Sequence, residues 1–510
     1  MRRPLLLLAL AGLAAAPLAA PAAAQDSFAA REAANYARTT QAPSQQLRDP
    51  AFVARWQQQS LANAQEFAAL GLERRLATQG NLCREWSEPC TGDPYRYPGV
   101  DDFYDRADVV PVTFLDRGGA LLSGRVWAPR GASGRLPAVV ITNGSVQAPE
   151  TLYWWAAQAL VDAGYVVLTF DPRGQGRSDN RTPSGEQGSN ANPDVFATGT
   201  VDAVDFLLST PDAPYEGNVA GDPRAVTPFN PLHAVVDRER LGLAGHSLGA
   251  RGVSVVQGAQ PWPGTGDENP VDAVVAWDNL ALSDSGAGLA GIPLVPRVPA
   301  MGQAGDYFLT PTPYTRPPDR DDKRRGFLTW QAAGVPSYQL VVEGGTHYEW
   351  SLLPGFPTTA WEAGGDGGWG NPLARHFTVA WMDRWLKAEG EPGHADADAR
   401  LLGLADRPAA GDLQGGDVPA TWCERLSFHF ASSYDFPARD GSAQRVDDLA
   451  ASCEAAAAPP ATPSEAPPAE EAPGNAAAPV LARALPATGG LPALAAVVLL
   501  GGAALLRRRG

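Results

Sequence analysis

LAGHSLGARG, residues 243–252, sets Ser247 between Gly245 and Gly249. With 54 glycines in 510 residues, a G-x-S-x-G spacing arises readily by chance, so its surroundings carry the weight. Leu241 and Leu243 belong to an apolar run before the serine, and LGARGVSVVQGA after it reads as a helix. On a tight strand-to-helix turn, side chains at Gly245 and Gly249 would collide with the backbone around Ser247. The same turn leaves N–H groups at the helix start open to an oxyanion.

The chain on either side keeps this rhythm. DVVPVTFLDRGGALLSGRVWAPR (108–130) reads as a hairpin with a Gly-Gly turn. PAVVITNG is a short apolar strand, TLYWWAAQALVDAG a helix stopped by Gly164, and YVVLTFD a buried strand. Asn192 and Pro193 open another helix, whose Val201, Val204 and Leu208 share a face. VDAVVAWDN, VPAMGQ and SYQLVVEGG continue as strands, and a last helix runs from Asn371 and Pro372 through ARHFTVAWMDRWLKAEG. Continuous apolar strands alternating with amphipathic helices predict an α/β fold over residues 105–393, its mostly parallel sheet covered on both faces. Residues 25–104 read as a helical N-terminal extension, and 394–453 as a small disulfide-tied C-terminal appendage.

Between about 105 and 390 the order and motifs resemble the α/β-hydrolase family of serine hydrolases, esterases and lipases among them. The loop DPRGQGRSD (171–179) is common there and structural in role. A serine hydroxyl needs a base to take its proton and a carboxylate to orient that base. The resemblance makes Ser247 the nucleophile and His347, in EGGTHYEWS, the base. His246 is placed by the elbow and points elsewhere; His376 and His429 read as helix or core, His233 and His394 as polar loop. Two carboxylates compete for the acid. Asp306, after VPAMGQAG, is favoured because the family usually carries it there; Asp278, in VVAWDNL, is the alternative. The oxyanion hole would be the N–H of Leu248 and, after Asn143-Gly144, that of Ser145. No cofactor and no metal is implied.

Trp154, Trp155, Trp277, Tyr348 and Trp350 either line an acyl or aryl pocket or fill the core. Residues 282–298, where relatives insert a lid, are short and rich in Gly and Pro, against a large helical cap.

Both ends address the chain outward. Arg2 and Arg3, an apolar run and Ala22-Ala23-Ala24 form a signal peptide over 1–24, with the export route open between the general and twin-arginine types. LPATGG (485–490), an apolar segment and Arg507–Arg509 resemble the LPxTG sorting signal of Gram-positive surface proteins. That resemblance implies sortase attachment at Thr488 to the cell envelope, after transient membrane insertion of a segment short of the ~20 residues of a stable span. Residues 454–484, mostly Ala, Pro and Glu, read as a disordered spacer. Cys83 with Cys90 and Cys423 with Cys453 read as two disulfides in an exported protein, other pairings remaining open. A net charge of −16 argues against nucleic-acid partners.

The expectation is a secreted, surface-anchored serine hydrolase acting on a small or polymeric carboxylic ester. A peptidase or amidase of the same fold, and a non-catalytic binding module on that scaffold, stay open.

Overall fold

The computed structural model describes residues 103–432 with breaks, the longest at 308–318, 352–369 and 403–421, and two short strands, Asp435–Pro437 and Ala443–Arg445. The segments read as signal peptide, helical extension, spacer and sorting tail, with Cys83, Cys90, Cys453 and Thr488, lie outside the described residues. So do Tyr348 and residues 282–287.

A nine-stranded sheet organises the chain in the order β1-β2-β4-β3-β5-β6-β9-β10-β11. Its first hairpin is β1 (Ala107–Leu115) with β2 (Leu121–Pro129). Six parallel strands follow across the middle: β4 (Val166–Asp171), β3 (Leu136–Thr142), β5 (Val236–His246), β6 (Val271–Trp277), β9 (Ala300–Gly305) and β10 (Ser337–Val342). A small separate hairpin, β7 (Gly288–Leu289) and β8 (Ile292–Pro293), lies between β6 and β9 in the chain. The fold is therefore mixed α/β with a mostly parallel central sheet.

Both faces of the sheet are covered, which is why its strands read as unbroken apolar runs. In β3, Val139 and Ile141 join one core with residues of the helices Trp154–Asp162 and Gly370–Leu386. Ala138 and Val140 join the other, with residues of Asp194–Leu207 and Leu248–Val256. The stop after Trp154–Asp162 is Gly164, at φ +92, a left-handed position that glycine takes without a Cβ clash.

The segment read as an appendage is partly built into this body. β11 (Leu426–Ser432) pairs antiparallel with β10 and covers the sheet edge that β10 would otherwise expose. The helix His394–Leu402 buries Ala397 and Leu401, the latter in the same core as Phe377 and Trp381. Residue 394 is thus no boundary of the packed structure. Cys423 is disulfide-bonded, and its expected partner Cys453 lies outside the described residues. Among the described residues, no helix is long and apolar enough to cross a membrane.

One buried polar group stands out in β11. His429 is 2% exposed, edge-on to the Tyr338 ring with centroids 4.5 Å apart, and neither ring nitrogen has a hydrogen-bond partner among the described residues. Burial pushes its pKa down to about 3. An unfolded histidine takes its proton near 6.5, so the unfolded chain binds a proton that the folded chain refuses. Stability from this residue falls as pH drops from about 6.5 towards 3, by up to ~1.4 kcal/mol per pH unit. His429→Leu removes both this slope and the orphaned nitrogens, whose burial costs about 1–3 kcal/mol. Urea melts should show the variant more stable at pH 7, with a wider gap at pH 5. Equal midpoints at both pH values would refute the assignment.

Candidate active site

The elbow has the geometry its glycines suggest. Ser247 sits between the end of β5 and the helix Leu248–Val256 at φ 57, ψ −120, left-handed backbone that costs a non-glycine residue about 1–3 kcal/mol. A Cβ on Gly245 would lie 2.5 Å from the Gly249 carbonyl oxygen, and one on Gly249 would lie 2.3 Å from that of Thr142. The turn after β3 packs directly on the serine: a Cβ on Gly144 would come within 3.2 Å of the Ser247 Cβ. β3 is also where the strand order reverses, with β4 on one side and β5 on the other. Crevices form at such switch points, outside the carboxyl ends of the strands.

The partner of His347 differs from the one favoured in the sequence. His347 Nδ1 hydrogen-bonds Asp278 Oδ2. Asp278 follows β6 directly, at φ 63, and β6 is the strand beside β5. Asp306 follows β9, one strand further out, and its carboxylate is engaged elsewhere. Its Oδ2 accepts the Gly344 N–H and the Ser427 hydroxyl, each at 2.9 Å. Asp306 therefore ties the turn before His347 to β11, while Asp278 meets the imidazole. Burial works against the Asp278 carboxylate, but the charge and hydrogen bond of His347, helped by Lys323, hold its pKa below the ordinary value. Lys323 Nζ itself donates to the carbonyls of Gly305 and Asp306, both at 2.7 Å.

Beneath Ser247 lies a polar chain. The Gly144 N–H donates to Tyr153 Oη at 2.9 Å, and that oxygen is 2.8 Å from His246 Nδ1. His246 Nε2 is 2.9 Å from the His347 carbonyl oxygen. Burial, then the neighbouring charge of His347, pushes His246 down to about 3, so its ring is neutral at physiological pH. One tautomer satisfies every contact: Tyr153 donates to Nδ1, and the Nε2–H donates to the carbonyl. The Gly144 N–H is thus engaged by Tyr153 and is not the donor left for a substrate oxygen.

Further support comes from below the turn after β3. Asp171 Oδ1 accepts Asn143 Nδ2 at 2.9 Å and the Glu150 N–H at 2.6 Å. Glu150 in turn forms a buried ion pair with Arg125, whose guanidinium lies 4.7 Å from the Trp154 ring centre. In the loop 171–179, Arg173 bonds Asp116 and Glu186, each at 2.9 Å, a structural part as read from the sequence. Tyr153, Asp171 and Lys323 escaped the sequence reading. Asp171, ending a buried strand at the edge that carries the other groups, had the clearest signal.

The tryptophans fill the core. Trp154, Trp155, Trp277 and Trp350 are at most 2% exposed, and Trp350 Nε1 donates to Gln303 Oε1 at 2.9 Å. Residues 288–298 carry only the β7–β8 hairpin and no helix. Among the described residues, no group of three His, Cys, Asp or Glu side chains is placed to hold a metal ion.

No protein-family model matches the chain. Three curated relatives match segments of the chain. One of 150 residues is 31% identical to the thiohydrolase apmlB of Arthrinium phaeospermum, covering 29% of this chain and 39% of that protein. Another, of 64 residues, is 41% identical to the hydrolase LUC6 of a Fusarium species, covering 12% of this chain and 15% of the relative. A third, of 102 residues, is 33% identical to an uncharacterized protein of Pseudomonas aeruginosa, covering 20% and 26%. The chain spans well under half the length of each of these relatives.

Proposed function

We propose that this chain is a serine hydrolase of the α/β-hydrolase fold that cleaves carboxylic esters, exported and tethered to the cell surface through Thr488. The observation that carries the chemistry is the contact of His347 with Asp278 at the strand edge where Ser247 is held strained. The names of two relatives, a hydrolase and a thiohydrolase, support hydrolysis and add thioesters to the substrates worth testing. The LPATGG tail supports the location.

In this mechanism Ser247 Oγ attacks the acyl carbonyl while its proton passes to His347 Nε2. Asp278 holds Nδ1 protonated and stabilises the imidazolium. The carbonyl oxygen, now negative, sits on the N–H groups of Leu248 and Ser145, each such donor being worth about 3 kcal/mol in the transition state. His347 returns the proton to the departing alcohol or thiol. Water then attacks the acyl-serine by the same route and releases the acid.

A membrane-impermeant fluorophosphonate tests both halves together. Intact cells producing the chain should be labelled, with the adduct on Ser247 and the labelled protein in the cell-wall fraction. Labelling only after lysis would remove the surface assignment. No labelling of the folded protein in either preparation would remove the enzymatic one.

A further inference from the structure

We propose that Tyr153 and His246 are positioning residues that lock the oxyanion turn after β3 to the loop that carries His347. The proposal rests on the reading of Ser247 as nucleophile and goes beyond it, since the mechanism gives neither side chain a step of its own, the His246 ring lying beside that of His347 with centroids 4.5 Å apart.

Three features of the fold call for such a link. First, β3 and β10 are separated in the sheet by β5, β6 and β9, so no ladder hydrogen bond joins the loops that follow them. Yet those loops must hold the Ser145 N–H and the His347 ring in register around one carbonyl carbon. Second, the chain from Gly144 N–H through Tyr153 Oη and His246 to the His347 carbonyl spans that gap, with links of 2.9, 2.8 and 2.9 Å. Third, the link is packed as well as bonded. A Cβ on Gly144 would lie 3.0 Å from both Tyr153 Oη and His246 Nδ1. Tyr153 stacks nearly parallel on Trp277, with 5° between the rings, and both it and His246 are buried.

Tyr153 Oη occupies the Gly144 N–H and so fixes the turn that leads to Ser145. A neutral His246 with its proton on Nε2 suits this part. It accepts from the tyrosine and donates to the carbonyl without adding a charge beside the His347 imidazolium.

Geometry errors of this kind fall on the transition state more than on substrate binding, and a displacement near 1 Å can cost about 100-fold in rate. Tyr153→Phe keeps the ring and removes only the hydroxyl. Its kcat for p-nitrophenyl acetate should fall about 10- to 100-fold with KM within about twofold of the wild type. His246→Asn retains an acceptor near the Nδ1 position, and His246→Gln a donor near Nε2, so each preserves one half of the link. Both should retain more kcat than His246→Ala. Tyr153→Phe combined with His246→Gln should fall no further than the worse single variant, because both cut the same connection.

Thermal melts run beside the kinetics separate folding loss from positioning loss. Wild-type kcat in folded Tyr153→Phe overturns the proposal. So does a matching rise in KM, or a fall that only tracks the folded fraction. If the wild-type protein itself shows no Ser247-dependent turnover, it is the hydrolase reading that fails, a distinct outcome.

Discussion

Ser247→Ala should lower kcat on p-nitrophenyl esters by about six orders of magnitude, the scale on which loss of the nucleophile costs as much as loss of a whole triad. The substitution removes one oxygen. It leaves the elbow glycines, the His347–Asp278 contact and the packing of the Gly144 turn in place. Alanine meets the same left-handed penalty at φ 57 as serine, so the variant should melt close to the wild type. A folded, inactive protein that also fails to take up a fluorophosphonate is the expected result. Turnover above one-tenth of the wild type would mean that the strained turn serves something other than acyl transfer.

The elbow could be read from the sequence because every part of it is local. An apolar run, two glycines at fixed offsets and an amphipathic helix lie within twenty residues, and each has one physical meaning. The parallel strands were legible for a similar reason: burial on both faces leaves runs such as VVIT and VVLTF with no polar alternation. The choice between Asp278 and Asp306 was of another kind. Both follow strands that end at the same edge, and the contact that decides between them joins residues 69 positions apart. It depends on how the turn at Gly344 folds, and that turn is tied through Asp306 to Ser427 on β11. LSFHFAS is too short, and too far along the chain, to announce itself as the edge strand of the main sheet. Residue type misleads in the same way for the tryptophans, because a large aromatic fits a core and a pocket equally well. Tyr153 was hidden among them. Its hydroxyl matters only because a turn nine residues earlier and a histidine 93 residues later close around it.

The two carboxylates make opposite predictions. Asp278→Asn should lower kcat about 10⁴-fold with little change in folding, because an amide no longer holds the Nδ1–H tautomer or stabilises the imidazolium. Asp306→Asn should stay within about tenfold of the wild type, since an amide oxygen can still accept the Gly344 N–H and the Ser427 hydroxyl. The pH dependence sharpens the contrast. Because the Asp278 pKa is held below the ordinary value in the folded protein, its charge is present above the unfolded carboxylate value of about 3.9 and is lost only as pH falls through the lower, folded value. Protonation of Asp278 should therefore take no part in any loss of wild-type activity between pH 8 and about pH 5, and should contribute only in more acid solution. Stopped assays across that range, on protein shown by circular dichroism to be folded, give the measurement. If Asp306→Asn is the variant that loses four orders of magnitude, the imidazole must turn to Asp306 during catalysis. The contact between His347 and Asp278 would then belong to the resting enzyme alone.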